Sequence, residues 1–274
     1  MTLIEVLRRA TGYLEQHGSS SPRLDAELLL AHALQLRRID LYLQFERNLS
    51  DAELQQYRDL IARRAKGEPV AYLVRRKEFM GLELEVTPDV LVPNPDTELL
   101  VQLAVSWGRE NPERRRFADV GTGSGCIAVA IAHFLPDVEV FATDVSAGAL
   151  EVAKRNAARH AVGERVHVSE GDLVAPLPDG LDAICANLPY LEEGVALPPE
   201  VTAQPRSALF AGDRLVKRLL VEAPSKLGPG GVLFAEVDPS ISATALACAQ
   251  GTYARAVVHK DLGGHDRVLV AWKS

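Results

Sequence analysis

The sequence is poor in cysteine, and its cysteines follow no pairing pattern. Cys126, Cys185 and Cys248 are odd in number, widely spaced and set in apolar runs. Such cysteines are typical of reduced thiols in a core, so no disulfide framework is predicted and we expect a reducing, cytoplasmic setting. The seven histidines are scattered and have no partner at ligand spacing, so no metal is expected either.

Positive charge is also in short supply. The chain has 30 Lys and Arg residues against 37 Asp and Glu residues, a formal net charge of −7. Binding of naked nucleic acid needs a broad cationic surface that neutralises phosphates, so direct nucleic-acid binding is not expected. A local basic cluster near residue 70 is either a solvated face or a contact for an acidic partner. Its members are Arg63, Arg64, Lys66, Arg75, Arg76 and Lys77.

Long apolar runs are missing as well. No run reaches membrane-spanning length, and the N-terminus from Met1 to Arg9 mixes acid and base in a helical pattern. We therefore expect neither a membrane span nor a processed leader. With 274 residues, of which 47% are hydrophobic, the chain can bury one large core and a second, smaller one.

The first segment, residues 1–67, carries the pattern of a small helical bundle. Apolar residues recur at helical spacing from Leu3 to Leu14, and Ser21-Pro22 supplies the start of a second helix. A short third helix is predicted from Ile39 to Leu43. Ser50 and Glu53 have the spacing of a capping box and predict a fourth helix.

The remaining sequence divides at residue 95. Prolines and short apolar alternations around Phe79-Met80-Gly81 predict a hairpin and linker over residues 68–95. From residue 96 to 274 strand patterns alternate with helix patterns, with helices expected between the first five strands. This alternation predicts a mostly parallel, seven-stranded α/β sheet that ends in an antiparallel hairpin. The predicted strands are 116–120, 138–143, 165–169, 182–186, 232–237, 255–259 and 268–272.

A glycine-rich turn follows the first strand of this sheet. Its sequence is Asp119-Val-Gly121-Thr122-Gly123-Ser124-Gly125. Missing side chains allow a tight turn and close approach of a ligand, and a helix starting near Ser124 would favour a carboxylate. The spacing misses the dinucleotide fingerprint by one position and lacks a phosphate-loop lysine, so a nicotinamide enzyme or an NTPase is disfavoured. Taken alone, such a turn can also be purely structural.

The next two strand ends offer further polar groups. Asp144 ends the second strand, where a carboxylate can accept both hydrogen bonds of a ribose diol or can cap the helix starting near Ser146. Asp172 and Leu173 follow the third strand, where they either border an adenine ring or form an ordinary turn.

The fourth strand ends in Asn187-Leu188-Pro189-Tyr190. The side-chain oxygen of Asn187 and the backbone carbonyl of Leu188 can each accept a hydrogen from a planar NH2 group and orient its lone pair. Pro189 would stiffen the loop, and Tyr190 would stack on the planar group. This arrangement suits methyl transfer from a sulfonium to nitrogen without a strong base, whereas the alternative is a plain Asn-x-Pro turn.

The order of these motifs resembles that of class I S-adenosylmethionine-dependent methyltransferases. More narrowly, the chain resembles the HemK/PrmC family of peptide chain release factor glutamine N5-methyltransferases. The segments that carry this resemblance are Pro69-Val-Ala-Tyr72, Glu78-Phe-Met-Gly-Leu82, Val86-Thr-Pro-Asp89, Pro93-Asn-Pro-Asp-Thr-Glu98, Leu197-Pro-Pro-Glu200 and Pro205-Arg206.

The resemblance implies a Rossmann-like sheet, S-adenosylmethionine as cofactor and a cytoplasmic, monomeric enzyme. Its acceptor would be the glutamine of the Gly-Gly-Gln loop in bacterial class I release factors, which the helical domain would help dock. The cofactor would be held by Gly121, Thr122, Gly123, Ser124, Gly125, Asp144, Asp172, Leu173 and Asn187.

Four positions depart from the usual pattern of that family. Leu188 replaces a proline, Asn94 an arginine, and Arg75 and Asp238 each replace a glycine. The change at Arg75 would strain the hairpin if that position needs a positive φ.

Two alternatives remain at this stage. Asn-Leu-Pro-Tyr also occurs in ribosomal RNA adenine N6-dimethyltransferases, and an adenine methyltransferase acting on RNA or DNA would need a basic binding face that this composition disfavours. A catalytically inactive factor-binding homologue is the other alternative.

Overall fold

The computed structural model describes residues 1–274, which divide into two compact units. The first unit comprises residues 1–76 together with 196–203, and the second comprises residues 77–195 and 204–274. The sequence predicts a division into three parts, residues 1–67, 68–95 and 96–274, and this division into domains stays a prediction. No helix is both long and apolar enough to cross a lipid bilayer.

The first unit is helical. Its helices are α1 (Leu3–Gln16), α2 (Pro22–Ala33), α3 (Arg38–Tyr42), α4 (Asp51–Arg64) and α5 (Val70–Val74), with the one-turn helix α9 (Pro199–Thr202) from later in the chain. The capping box predicted at Ser50 is present, because the Ser50 side chain accepts from the Glu53 amide and the Glu53 carboxylate accepts from the Ser50 amide. Apolar residues from α1, α2 and α4 form the core of the unit.

Helix α5 corrects the prediction that residues 68–95 form only a hairpin and linker. Its sequence is β-branched and apolar, which favours a strand, but Tyr72 and Leu73 are buried and override that preference. The helix ends at Arg75, which has a φ of +57°. The positive φ considered from the sequence is therefore present, at a helix end rather than in the hairpin turn.

The second unit begins with the predicted hairpin. Strands β1 (Arg76–Phe79) and β2 (Leu82–Glu85) are joined by Met80 and Gly81, which both have positive φ. Two residues of that conformation make the tight turn whose twist matches the strands it connects. Phe79 and Leu84 are buried in the larger core of this unit.

The remainder of the second unit is a seven-stranded sheet with helices on both faces. Its strand order is β5-β4-β3-β6-β7-β9-β8, and β9 alone runs opposite to the other six strands. Its strands are β3 (Arg116–Val120), β4 (Glu139–Asp144), β5 (Val166–Glu170), β6 (Leu181–Ala186), β7 (Leu227–Glu236), β8 (Arg255–Lys260) and β9 (Asp266–Trp272). The seven predicted strands and the antiparallel edge hairpin are confirmed.

Two apolar clusters cover the two faces of the sheet. One face packs against α6 (Glu98–Glu110), α7 (Cys126–Phe134) and α8 (Ala147–Arg159), and the other against α10 (Arg214–Glu222) and α11 (Pro239–Gln250). The helix expected between the third and fourth strands of the sheet is absent, and that prediction is wrong. Residues 171–180 form turns there, in a stretch that contains Pro176, Pro178 and two glycines.

Candidate active site

The carboxyl ends of β4, β3 and β6 lie side by side in the sheet. Val120 at the end of β3 pairs with Thr143 on one side and with Ala186 on the other. The chain continues from β3 to β4 on one side and later returns to β6 on the other, and in open α/β sheets ligands bind in the crevice at such a reversal.

One cavity at this edge of the sheet contains nearly all of the site residues predicted from the sequence. The predicted residues among its lining are Gly121, Thr122, Gly123, Ser124, Asp144, Asp172, Leu173, Asn187, Leu188 and Pro189. Gly125 and Tyr190 are not part of the lining. Gly125 is the N-cap of α7, which begins at Cys126, close to the start predicted near Ser124.

The glycine turn has the backbone that its composition predicts. Gly121, Gly123 and Gly125 have φ values of +72°, +55° and +79°. The amides of Gly121 and Thr122 both donate to the carbonyl of Thr143, at 2.8 and 2.9 Å. Because L residues rarely adopt such φ values, the turn depends on glycine at these positions.

The buried carboxylate of Asp119 holds the glycine turn and the start of α7 through hydrogen bonds. Its Oδ2 accepts hydrogen bonds from Thr122 Oγ1 at 2.6 Å and from the Ala128 amide at 3.1 Å. Its Oδ1 has no hydrogen-bond partner, and neither has the buried hydroxyl of Ser124. Burial raises the pKa of Asp119 to about 7, against the lowering effect of its two hydrogen bonds.

Asp144 ties the turn to the adjoining strand end. Its Oδ2 accepts from the Gly123 amide and its Oδ1 from the Ser146 amide, both at 2.9 Å. The cap of α8 is Ser146, whose hydroxyl accepts from the Ala149 amide at 3.2 Å. Each carboxylate oxygen has two lone pairs, so Asp144 keeps acceptor capacity at the cavity.

Asp172 and Leu173 lie beyond the next strand. The carboxylate of Asp172 forms an ion pair with Arg218 of α10 at 3.0 Å. Leu173 is buried and its carbonyl accepts a hydrogen bond from Thr143 Oγ1 at 3.0 Å. These contacts hold an acidic and an apolar group at one end of the cavity.

The Asn187–Tyr190 loop closes the other side of the cavity. Nδ2 of Asn187 donates to Oγ1 of Thr97 at 2.9 Å, and the Leu188 carbonyl accepts no hydrogen bond from the protein. The ring of Tyr190 packs against the apolar cluster on one face of the sheet. Burial raises the pKa of Tyr190 to about 12, so its hydroxyl is neutral at physiological pH.

Two buried polar residues at this site, Thr97 and Glu236, were not among the site residues predicted from the sequence, where Glu236 was taken either to line the cleft or to close a turn. Thr97 lines the cavity and is 1% exposed. Glu236 ends β7, the neighbour of β6, and is also 1% exposed, with no hydrogen-bond partner at either carboxylate oxygen. Burial raises the pKa of Glu236 to about 7. The only sequence signal for Glu236 was its position at a strand end. Thr97 had no such signal, because it lies 90 positions from Asn187 in the chain.

Two of the unusual residues fit their local backbone. Asp238 has a φ of −79°, where glycine is not needed, and it caps α11 by accepting from the Ser240 amide at 2.9 Å. Asn94 lines the cavity, and its side chain accepts from the Asp96 amide at the start of the short 3-10 helix Pro95–Thr97. Neither residue disturbs the strand ends that form the site.

Comparison with known proteins places the chain among methyltransferases. Residues 5–74 match the family model described as the PrmC N-terminal domain, and residues 95–246 match the methyltransferase small domain. A 16S rRNA N2 G1207 methyltransferase of T. thermophilus, solved with AdoMet and guanosine, has a TM-score of 0.54 at 20% identity. That match covers 73% of this chain and 50% of that one. At this identity the likeness concerns the fold alone.

Two of the relatives illustrate matches over nearly the full length of both chains. The release factor glutamine methyltransferase of Geobacter sulfurreducens is 42% identical over 276 residues, which cover 98% of this chain and 95% of that protein. The protein of the same name from Rhodopirellula baltica is 39% identical over 286 residues, 100% of this chain and 97% of the relative. These matches show that the chain belongs to the family of release factor glutamine methyltransferases.

Proposed function

We propose that the protein transfers a methyl group from S-adenosylmethionine to the side-chain amide nitrogen of a glutamine in a peptide chain release factor. The observation that carries this proposal is the shared cavity of the glycine turn and the Asn187–Tyr190 loop. Full-length relatives named release factor glutamine methyltransferase support the same reaction. An adenine acceptor has no comparable support.

The chemistry of the lining residues fits the cofactor. Backbone amides of the glycine turn and the unpartnered hydroxyl of Ser124 offer donors and acceptors to an amino-acid group. Asp144 would accept from a ribose diol, and Asp172 with Leu173 would border the adenine. When bound, S-adenosylmethionine supplies an electrophilic methyl group on its sulfonium.

The residues of the Asn187–Tyr190 loop would prepare the nitrogen. A carboxamide NH2 is a weak nucleophile, and its two hydrogens need two acceptors to fix its orientation. Oδ1 of Asn187 and the carbonyl of Leu188 would be those acceptors, acting as fixed dipoles that stabilise the charge developing on nitrogen. Tyr190, neutral because of its raised pKa, would contribute its ring rather than act as a base.

The partner in this proposal is a bacterial class I release factor, which presents the glutamine of its Gly-Gly-Gln loop. The helical unit would help dock the release factor, and the enzyme would act as a monomer. Because the glutamine lies on a protein, its recognition does not require the cationic surface that the composition lacks.

Mass spectrometry tests the proposal. A purified class I release factor is incubated with the protein and S-adenosylmethionine, and the peptide with the Gly-Gly-Gln loop is examined. We expect one added methyl group on the glutamine side chain, and none on a release factor in which that glutamine is replaced by alanine. An unmodified glutamine, or methylation of the alanine variant, would contradict the proposal.

A further inference from the structure

The orientation of the Asn187 amide decides whether it can do what the proposed function asks of it. A carboxamide carries a donor at one end and an acceptor at the other. With Nδ2 directed at Thr97 Oγ1, at 2.9 Å, Oδ1 is the end left for the acceptor NH2. A turned amide would present a donor to a donor and could not orient the acceptor group.

Thr97 alone does not fix this orientation. A threonine hydroxyl both donates and accepts, so it can pair with either end of an amide. The side chain of Thr97 makes no capping bond to α6, although Thr97 precedes the first residue of that helix. The hydroxyl proton is therefore not committed to the helix, and its direction decides which end of Asn187 faces Thr97.

Glu236 supplies the missing constraint. Its carboxylate is buried at the end of β7, and neither oxygen has a hydrogen-bond partner. Ala235 pairs with Ala186, so Glu236 and Asn187 are the next residues after a paired position of two adjacent strands. The Thr97 hydroxyl is among the groups that lower the pKa of Glu236. An ionised carboxylate only accepts hydrogen bonds. An ionised Glu236 therefore favours a Thr97 hydroxyl whose proton is directed at the carboxylate, which leaves the hydroxyl oxygen to accept from Nδ2 of Asn187.

We propose that Thr97 and Glu236 are positioning residues that hold the Asn187 amide with its oxygen toward the methyl acceptor. This proposal rests on the proposed function, because it assigns Asn187 the role of orienting an NH2 group. Neither residue would touch the substrate, and both act through the direction of one hydroxyl proton.

The protonation of Glu236 would then control the rate. Burial holds the pKa of this carboxyl at about 7, with Arg267 and Thr97 lowering it and Asp96 raising it. A protonated Glu236 can donate a hydrogen bond to the Thr97 hydroxyl. The proton of that hydroxyl is then free to be donated to Oδ1 of Asn187, so the Asn187 amide can flip by about 180°. We expect kcat to fall as the pH drops through about 7. Tyr190 and Cys126 also interact electrostatically with Glu236. Tyr190 interacts in turn with Asp238, and Cys126 with Asp119.

Kinetics of three variants test the proposal. T97V keeps the shape but loses the hydroxyl, and we expect kcat to fall by up to about 100-fold with the Kd of S-adenosylmethionine little changed. T97S restores the hydroxyl and should recover most of that loss. The side chain introduced by E236Q cannot ionise, so the kcat of this variant should no longer fall as the pH drops through about 7. A T97V enzyme with full kcat, a T97S enzyme as slow as T97V, or an acidic limb that persists in E236Q would each overturn it.

Nuclear magnetic resonance supplies a readout that does not depend on turnover. In the ¹⁵N-labelled protein, the Asn187 side-chain amide signals should shift with a midpoint near pH 7, and E236Q should abolish that shift. Signals that titrate identically in both proteins would overturn the positioning role. If the wild-type protein methylates no release factor, the proposed function fails, and this titration still decides whether Glu236 controls the amide.

Discussion

Gly121 and Leu188 lie in direct contact across the candidate site. A Cβ atom on Gly121 would lie 2.9 Å from Cδ2 of Leu188, closer than carbon atoms normally approach. The end of β3 and the loop after β6 are therefore packed closely, and a side chain at position 121 would force the Leu188 side chain to move. A cofactor in the glycine turn and an acceptor held by Asn187 would share this small space.

We expect a G121A substitution to weaken both folding and cofactor binding. The added methyl group meets Leu188, and the φ of +72° costs an L residue about 1 to 2 kcal/mol. The matched control is G264A, since Gly264 has a φ of +81° and open space around it. Calorimetry should show weaker S-adenosylmethionine binding in G121A alone, and equal binding by both variants would contradict the close packing.

The D144A variant should bind S-adenosylmethionine more weakly by about 1 to 3 kcal/mol, the cost of leaving polar groups unpaired. Asp144 also accepts from the Gly123 amide, so its loss should loosen the glycine turn. Glu170 is exposed and ends the next strand, which makes E170A the control. An unchanged Kd in D144A, measured by calorimetry, would remove Asp144 from the cofactor site.

Loss of the Asn187 amide should affect turnover far more than cofactor affinity. We expect N187A to lower kcat by about 100- to 1,000-fold, because it removes one of two groups that orient the acceptor. The Kd of S-adenosylmethionine should stay within about tenfold. N111A, which removes an amide at the end of α6, serves as the control in the same methylation assay. Normal turnover by N187A would refute its assignment.

Stability of the helical unit should depend on Arg64. This side chain is 6% exposed and forms ion pairs with Asp25, at 2.7 Å, and with Glu200. R64M would leave the buried Asp25 with the Ser19 hydroxyl but without its ion-pair partner, and would cost about 3 to 5 kcal/mol of unfolding free energy. R63M removes an exposed pair with Glu68 and should cost about 1 kcal/mol or less. Denaturant titration compares the two, and similar losses would argue against a buried network.

The free energy of unfolding should decrease as the pH rises from about 4.5 to about 7. Burial raises the pKa of Glu236 from its ordinary value of 4.5 to about 7, so over this range the folded protein retains a proton that the unfolded chain has lost. The contribution of this residue is about 3 kcal/mol by linkage. E236Q should show a correspondingly flatter pH dependence in denaturant titrations. Parallel curves for the two proteins would show that Glu236 has an ordinary pKa.

Much of the fold could be predicted from the sequence because its signals are local. All seven strands of the sheet follow from apolar runs bounded by breakers, and the Met80–Gly81 turn follows from its flanking alternation. The errors arose where local and tertiary preferences differ. Helix α5 has a strand-like sequence, and the expected helix over 171–180 ignored the prolines within that stretch.

The site was predictable only in part, for a physical reason. The glycine turn, Asp144 and Asn187 each follow a strand, and the carboxyl ends of parallel strands share one edge of the sheet. Thr97 precedes a helix and does not follow a strand, so the position of ligand sites at strand ends does not predict it as a site residue. Its role depends on the distance to Asn187, and that contact arises only when residues 90 positions apart are brought together by folding.

The short segment 196–203 limits where the chain can be divided into fragments that keep each unit whole. The chain passes from the first unit to the second after residue 76, returns at residue 196 and leaves again after residue 203. An N-terminal fragment ending at residue 76 would lack Glu200 and expose the guanidinium of Arg64 that Glu200 covers. Fusions, truncations and exchanges of the helical unit between homologues should therefore carry residues 196–203 with it, since a cut after residue 76 separates that segment from the rest of its unit.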